Sequence, residues 1–258
     1  MTTHVVITGA SSGLGAALAG QFAGTGCALS LFGRDVARLS AVADACRPTA
    51  GPVETFNLDV TDTAAMTAAL NAIDSANPID ILIANAGLGG NEVLAPSTGE
   101  PPDLARRIAE VNLIGVLNTV APLTAAMTSR GRGHVVIIGS MAGGQGLAES
   151  PVYSASKAAV RVYGEGLRRL LAPRGVRVTV VIPGFITTPM SQSLPMRRPF
   201  EWTVERAAAR IISGIERNEA EIVFPWQLRA TGRVIGWLPR RLRDRAMMLG
   251  RYWTGRRL

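Results

Sequence analysis

A tyrosine and a lysine one helical turn apart provide a pair of groups suited to acid/base chemistry. Tyr153 and Lys157 stand at positions i and i+4 of a segment predicted to be helical, so both side chains project from one face. A free phenol titrates near pH ~10 and is a poor base at neutral pH unless a nearby positive charge stabilises the phenolate. Lys157 would supply that charge, and Ser140, at the end of a predicted strand, can hydrogen-bond a substrate oxygen.

A glycine-rich turn follows the first predicted strand. HVVIT runs into TGASSGLG, whose last two glycines open a predicted helix. Glycines at such a turn permit close approach of backbone N–H groups to a pyrophosphate, and the helix N-terminus favours the same anion. The alternative is an ordinary strand-to-helix turn. The residues of this turn predicted to bind a dinucleotide cofactor are Gly9, Ser11, Ser12, Gly13, Leu14 and Gly15.

The end of the second predicted strand indicates which dinucleotide binds. An NAD site usually has an acid there to accept a hydrogen bond from the ribose 2′-hydroxyl, but this chain has Gly33. Arg34 follows and can pair with a 2′-phosphate, although a solvated surface arginine is the alternative. Asp35 could be the start of the next helix or a ribose ligand. We therefore expect NADP(H) as the cofactor, and NAD less readily.

These motifs together resemble the short-chain dehydrogenase/reductase family. The resemblance rests on the spacing Gly-x-x-x-Gly-x-Gly, on Asn85-Ala86-Gly87 after the fourth predicted strand and on Tyr-x-x-x-Lys, and it covers about residues 4–225. It implies an NADP(H)-dependent oxidoreductase that moves a hydride between nicotinamide and a carbonyl or secondary alcohol. Tyr153 would move the proton as the hydride moves. The alternatives are a dinucleotide-binding redox sensor without turnover and a membrane-surface adaptor.

The resemblance also implies roles for residues elsewhere in the chain. Asn112 joins Ser140, Tyr153 and Lys157 as a catalytic residue that would hold a water between the lysine and solvent, with a satisfied core asparagine as the alternative. The implied cofactor contacts, besides the glycine-rich turn and Arg34, are Asp59, Val60, Asn85, Ala86, Gly87, Tyr153, Lys157, Pro183, Gly184, Ile186 and Thr188. Thr187 is an alternative partner of the nicotinamide carboxamide.

The sequence contains 27 lysine and arginine residues, and Lys157 is the only lysine among them. A compact ammonium can bond ribose hydroxyls and join a proton relay, which a planar guanidinium does less well. A Tyr/Lys pair on a helix surface is the alternative interpretation. The position of the one lysine beside the one suitably placed tyrosine favours the catalytic interpretation.

Substrate contacts are predicted in the segments with the weakest motifs. They are Ser140, Gln145, Leu147, Tyr153 and Phe185, with Leu88 and the loop from Pro189 to Trp202 as further walls. Because these walls are mostly apolar, we expect a lipophilic or uncharged carbonyl compound. Arg197 and Arg198 would suit an acidic substrate instead, or a solvated loop edge.

Short apolar runs alternate with longer segments of helical period, which predicts an α/β fold with a doubly wound, Rossmann-like parallel sheet of about seven strands and helices on both faces. The predicted strands are 4–8, 28–32, 53–58, 80–84, 134–139, 176–182 and 220–224. The predicted helices are 13–25, 35–46, 62–76, 103–130, 152–172 and 204–217. We expect one domain over 1–225, including a substrate loop at 185–203, followed by a basic tail over 226–258.

The net charge of +8 resides in that tail. Residues 226–258 contain nine arginines, one acidic residue and three of the four tryptophans, whereas residues 1–225 contain eighteen basic and eighteen acidic residues. A nucleic-acid partner is therefore not expected, since no basic stripe covers the fold. The tail is predicted either to lie on an anionic membrane or to pack on the substrate pocket or a neighbouring subunit.

Composition limits the remaining possibilities. The N-terminus lacks the pattern of a secretory signal and no run of 18 apolar residues occurs, so we expect a cytoplasmic protein. Its tail would allow peripheral association with the inner face of a membrane. Cys27 and Cys46 lack metal-ligand spacing and are expected to be reduced, with no metal bound. The family resemblance implies a small-molecule substrate and a homodimer or homotetramer.

Overall fold

The computed structural model describes residues 2–89, 99–192 and 197–253, with the backbone alone described for 249–253. Within that part, seven parallel strands form one sheet in the order β3-β2-β1-β4-β5-β6-β7. The strands are β1 His4–Thr8, β2 Ala28–Gly33, β3 Val53–Asn57, β4 Ile81–Ala84, β5 Gly133–Ile138, β6 Val176–Pro183 and β7 Glu221–Phe224. Each predicted strand is present, with its ends moved by no more than one residue.

Helices connect the strands. They are α1 Gly13–Ala23, α2 Val36–Cys46, α3 Thr63–Ala76, α4 Pro102–Ala109, α5 Gly115–Ser129, α6 Pro151–Leu171, α7 Pro189–Gln192, α8 Val204–Glu216, α9 Trp226–Trp237 and α10 Arg240–Trp253. Two apolar cores form because successive residues of a strand point to opposite faces. Val5 and Ile7 pack in the core that contains α1, α2 and α8, whereas Val6 packs in the core that contains α3, α5 and α6. The doubly wound sheet is therefore confirmed.

The order of the sheet determines where a ligand binds. The chain passes from β1 outward to β2 and β3, then returns to β4 on the other side of β1. The connections therefore diverge at the carboxyl ends of β1 and β4 and leave a crevice there, which is where open α/β sheets bind ligands. The glycine-rich turn follows β1, and Asn85 follows β4.

The helix predicted over 103–130 is interrupted. Its two parts, α4 and α5, are joined by a π-helical turn over Glu110–Ile114 that contains Asn112. Such a turn holds one extra residue and is common at functional sites. Because the apolar spacing continues through it, periodicity alone does not reveal the interruption.

The combined span Pro102–Ser129 is long and apolar enough to cross a bilayer by length and composition. Half of its most apolar window is buried inside the protein, and α5 packs against α3, β4 and β5. Packing in the core of the fold therefore accounts for its apolar composition.

The segment after β7 folds back over the sheet edge that carries the crevice. Helix α9 contacts β7 and a short 3₁₀ turn over Met141–Gly144, and α10 contacts α9. The end of the tail, 254–258, lies outside the described residues.

Candidate active site

A cleft of about 1580 Å³ opens at the carboxyl ends of the strands. Its walls come from the turns after β1, β2, β4, β5 and β6, from the start of α6 and from α9 and α10. All the predicted cofactor, catalytic and substrate residues line this cleft except Gly15 and Asn112, which lie behind its wall. The sequence motifs, which are far apart in the chain, therefore converge on one site.

Ser140, Tyr153 and Lys157 converge because two backbone segments approach closely. Ser140 follows β5, and its hydroxyl accepts a hydrogen bond from the Ala142 N–H at 3.1 Å, which caps the 3₁₀ turn. A Cβ atom on Gly143 would lie only 2.6 Å from the carbonyl carbon of Lys157, so the turn packs directly on α6. This approach brings the Ser140 hydroxyl within hydrogen-bond reach of the Tyr153 phenol.

Burial shifts the titration of both groups on α6. Desolvation raises the pKa of the Tyr153 phenol, and the hydrogen bond with Ser140 opposes that shift. Lys157 is 5% exposed, and its Nζ donates to the Ile138 carbonyl at 2.9 Å and lies 6.0 Å from the centroid of the Tyr153 ring. Desolvation lowers the pKa of Lys157 to about 8. The described residues form no salt bridge with this ammonium, so its charge remains available to the cleft.

Asn112 uses its whole amide within the protein. Its Oδ1 accepts from the Leu88 N–H at 2.7 Å, and its Nδ2 donates to the Leu88 carbonyl at 3.0 Å and to the Ser156 hydroxyl at 3.1 Å. A Cβ atom on Gly87 would lie 3.3 Å from Oδ1 of Asn112 and 3.5 Å from Nζ of Lys157. Asn112 therefore ties the segment after β4 to α6 beside the lysine, and its predicted water-holding role stays a prediction.

The glycine-rich turn forms a cradle of backbone. Gly9 has a φ of +67°, and a Cβ atom there would lie 2.8 Å from Cα of Ala86. A Cβ atom on Gly15 would lie 2.3 Å from the Gly9 carbonyl oxygen, which itself accepts from Asn85 Nδ2 at 3.1 Å. The N-cap residue Ser12 makes no side-chain capping hydrogen bond, and the first turn of α1 has no acidic residue. This N-terminus is therefore suited to a pyrophosphate.

The turn after β2 carries the predicted determinant of the dinucleotide. A Cβ atom on Gly33 would lie 3.2 Å from Cβ of Ser11, so an acidic side chain there would crowd the glycine-rich turn. Asp35 caps α2 by accepting from the Arg38 N–H at 3.0 Å and from Arg38 Nε at 2.6 Å. Of the two predicted roles of Asp35, the start of the helix and a ribose ligand, the structure shows the first.

Arg34 lies at the cleft with 54% of its side chain exposed, and its Nη1 is 3.4 Å from Oδ2 of Asp59. Arg107 Nη2 contacts the same carboxylate at 2.9 Å, and Thr61 donates to its other oxygen. Desolvation alone would raise the pKa of Asp59, but the hydrogen bonds from Thr61 and the two guanidinium groups hold it below its usual value. Asp59 is therefore ionised, and it positions Arg34 beside the cleft.

The opposite end of the cleft follows β6. Pro183 and Gly184 line it, and Ile186 is buried in an isolated parallel bridge to Trp202. Thr188 lines the cleft, whereas the Thr187 hydroxyl lies 3.3 Å from the Trp202 carbonyl and outside the lining. Of the two threonines, Thr188 is thus the one placed to contact a cofactor.

Apolar residues dominate the predicted substrate wall. Leu88, Leu147 and Phe185 line the cleft, as does Gln145, whose Nε2 donates to the Gly232 carbonyl of α9 at 3.2 Å. Arg198 pairs with Glu201 at 2.9 Å and is not part of the lining. Residues 193–196 of the predicted loop lie outside the described part.

The tail supplies a wall that the motifs did not predict. Leu228 and Ile235 of α9 and Met247 of α10 line the cleft, and Cδ1 of Leu228 would lie 2.8 Å from a Cβ atom on Gly184. The signal in the sequence is the spacing of Leu228 and Ile235, which places them on one side of a helix. Packing on the pocket, one of the alternatives for the tail, is therefore what the described residues show.

Comparison with known proteins identifies the family. A family model described as short chain dehydrogenase matches residues 3–198. An uncharacterised oxidoreductase from Myxococcus xanthus is 37% identical over 242 residues, which cover 93% of this chain and 94% of that protein. A short-chain dehydrogenase from Sphingobium yanoikuyae in complex with NADPH has a TM-score of 0.78 at 28% identity and covers 92% of this chain and 97% of its own. A short chain dehydrogenase/reductase from Burkholderia phymatum in complex with NAD has a TM-score of 0.80 at 25% identity. That match covers 90% of this chain and 92% of the Burkholderia chain.

Fold and site define a dinucleotide-binding α/β oxidoreductase, and the chain belongs to the short-chain dehydrogenase/reductase family. It is an enzyme that acts on CH–OH or C=O groups with a nicotinamide cofactor. The related structures contain either NADPH or NAD.

The pKa of Lys157 generates a prediction for cofactor affinity. Because burial lowers that pKa to about 8, the free enzyme carries the ammonium below this pH and loses it above. Binding a nucleotide at higher pH then requires uptake of a proton, so Kd for NADPH or NADH should rise up to about tenfold per pH unit above pH 8. Quenching of protein fluorescence by the nucleotide between pH 6.5 and 9.5 measures this. Lys157→Gln should bind more weakly with a flat profile, and a parent profile that is also flat would contradict the prediction.

Proposed function

We propose that the enzyme is an NADPH-dependent carbonyl reductase, which runs as an alcohol dehydrogenase in reverse. The observation that carries the proposal is the contact of Ser140 with Tyr153 beside the buried Lys157, at the wall of the cleft. When bound, the nicotinamide supplies the hydride to the substrate carbon. Tyr153 donates its proton to the carbonyl oxygen, and Ser140 donates a hydrogen bond to the same oxygen.

The environment of the phenol suits reduction. Because burial raises the pKa of Tyr153, the phenol keeps its proton at neutral pH and can act as the acid. The Lys157 ammonium lowers the cost of the phenolate that remains after proton transfer. The Asn112 side chain bonds to Leu88 and Ser156, so its proposed role is to order the segment beside Lys157 where a water would join the lysine to solvent.

Replacing the phenol tests the proposed chemistry. Tyr153→Phe removes the proton donor and keeps the ring, so kcat with a ketone or aldehyde should fall by a factor of about 100 or more. NADPH affinity should change little, since the lysine remains. NADPH oxidation with a panel of ketones, aldehydes, quinones, steroids and 3-oxoacyl thioesters provides the assay. Tyr163→Phe is the matched control, because Tyr163 lies on the same helix outside the cleft. Activity of Tyr153→Phe equal to that of this control would refute the mechanism.

The preference for NADPH is supported by the turn after β2. Gly33 provides no carboxylate for a ribose 2′-hydroxyl, and Asp35 is committed to the cap of α2. Arg34 is exposed at the cleft and can turn from Asp59 to a 2′-phosphate, with Arg107 left to neutralise the carboxylate.

Arg34→Ala should weaken NADPH binding about 10- to 100-fold, because it removes a charge-assisted hydrogen bond to the 2′-phosphate. NADH binding should change less than threefold, because NADH has no 2′-phosphate. Arg47→Ala, at the far end of α2 and paired with Asp44, is the matched control. Equal losses for the two nucleotides in titration calorimetry would remove the argument for NADPH.

The proposed substrate is lipophilic or uncharged. Support comes from Leu147, Phe185, Leu228, Ile235 and Met247, which give apolar walls to the cleft that Tyr153 also lines. We further propose a homodimer or homotetramer, since Val162 and Leu170 leave apolar surface exposed on α6.

We also propose that the outer face of α9 contacts an anionic membrane surface. Trp226, Val234 and Trp237 share that face, opposite Leu228 and Ile235, and the two tryptophans are 72% and 92% exposed. Exposed tryptophans among arginines are suited to a lipid interface, and a lipophilic substrate could then enter the cleft from the membrane.

Flotation with liposomes of anionic phospholipid tests this contact. The parent should float with anionic and not with zwitterionic liposomes, and Trp226→Ala/Trp237→Ala should stay in solution. Val162→Ala/Leu170→Ala removes exposed apolar side chains from α6 instead and should float like the parent. A parent that stays in solution with anionic liposomes would overturn the proposal.

A further inference from the structure

The helix that carries Tyr153 is held at its N-terminus by a carboxylate from a distant loop. Oε1 of Glu100 accepts from the Tyr153 N–H at 3.0 Å, and Oε2 accepts from the Val152 N–H at 3.3 Å. Glu100 precedes Tyr153 by 53 residues and is only 8% exposed. It is absent from the lining of the cleft, so it reaches the site from behind.

The first turn of α6 depends on this carboxylate. The N-cap residue Ser150 makes no side-chain capping hydrogen bond, and Pro151 has no N–H to donate. The Ser154 N–H bonds to the Ser150 carbonyl at 3.0 Å. The two remaining N–H groups of that turn, those of Val152 and Tyr153, both end on the carboxylate. Unpartnered N–H groups at this partly buried helix end would be costly, and a negative charge also complements the helix dipole.

The loop that presents Glu100 is packed against the same helix end. Gly99 has a φ of +76°, and a Cβ atom there would lie 3.3 Å from Cγ of Pro151. The contact of Gly99 with the Pro151 ring and the paired hydrogen bonds therefore hold the carboxylate against the residue that bears the phenol.

We propose that Glu100 is a positioning residue: it clamps the first turn of α6 and thereby sets the Tyr153 phenol against the Ser140 hydroxyl. The kinetic part of this inference rests on the proposed role of Tyr153 as the acid. Glu100 does not line the cleft, so it acts only through the tyrosine. A displacement of the phenol by about 1 Å lowers kcat and leaves ligand affinity almost unchanged.

Glu100→Gln tests the clamp with an isosteric side chain. Its amide group would face an N–H donor, so one of the two hydrogen bonds is lost. Asp62→Ala is the matched control, because it removes the cap of α3, where Asp62 accepts from the Ala65 N–H at 3.0 Å, and α3 does not line the cleft. Both variants should lower Tm by a few degrees.

Two measurements then distinguish positioning from stability. The chain has three tyrosines, so labelling with [13Cζ]tyrosine gives three NMR signals, and Tyr153→Phe assigns the one of interest. Glu100→Gln should shift or broaden the Tyr153 signal and lower kcat about 10- to 100-fold, with substrate KM and NADPH Kd within about twofold. Asp62→Ala should leave the Tyr153 signal and kcat unchanged.

An unchanged Tyr153 signal in Glu100→Gln, or an unchanged kcat in an active parent, would overturn the clamp. The NMR signal decides the inference even if the parent reduces no carbonyl compound, which would refute the proposed function alone. Should Glu100→Gln fail to fold, Glu100→Asp keeps the charge and shortens the reach by one methylene. The same change of the Tyr153 signal is then expected, and its absence counts against the clamp.

Discussion

A single ammonium in a desolvated position constrains the whole site. Lys157 is buried, no carboxylate among the described residues pairs with it, and its Nζ donates to the Ile138 carbonyl at the end of β5. Desolvation lowers the pKa of Lys157 because a buried ammonium is costly, and that ammonium stabilises any negative charge that develops next to it. The surrounding residues are arranged accordingly: Gly87 and Gly143 leave room for the ammonium and its helix, and Asn112 is satisfied by other partners.

The fold supplies the geometry that this charge requires. Parallel strands end at one edge of the sheet, and the reversal of order between β1 and β4 opens a crevice there. The glycine-rich turn after β1, the Ser140 turn after β5 and the start of α6 therefore face a common space. Close packing of backbone on backbone holds these groups in place. At Gly9, Gly15 and Gly143, a Cβ atom would lie less than 3 Å from a backbone atom of another residue. Rigid backbone of this kind holds reacting groups more accurately than flexible loops do.

The tail shows how composition can leave a function open. Its arginines and tryptophans are compatible with a lipid surface, yet α9 also has a second apolar side that closes the cleft. The two roles do not compete, because they use opposite sides of one helix. A wall built from the last part of the chain also explains why the pocket is apolar beside a site that is otherwise polar.

The sequence by itself determined the seven strands, the glycine-rich turn, the Tyr153–Lys157 pair and the absence of an acid at Gly33, because these depend on local periodicity and on the chemistry of individual residues. It did not reveal the π-helical turn at Asn112, whose apolar spacing continues unbroken, or the choice of Asp35 as a helix cap. Only the tertiary structure placed α9 over the cleft and the Glu100 carboxylate under Tyr153. Those contacts join residues separated by tens of positions, and the partner of a buried polar group is decided by which segments the folded chain brings together.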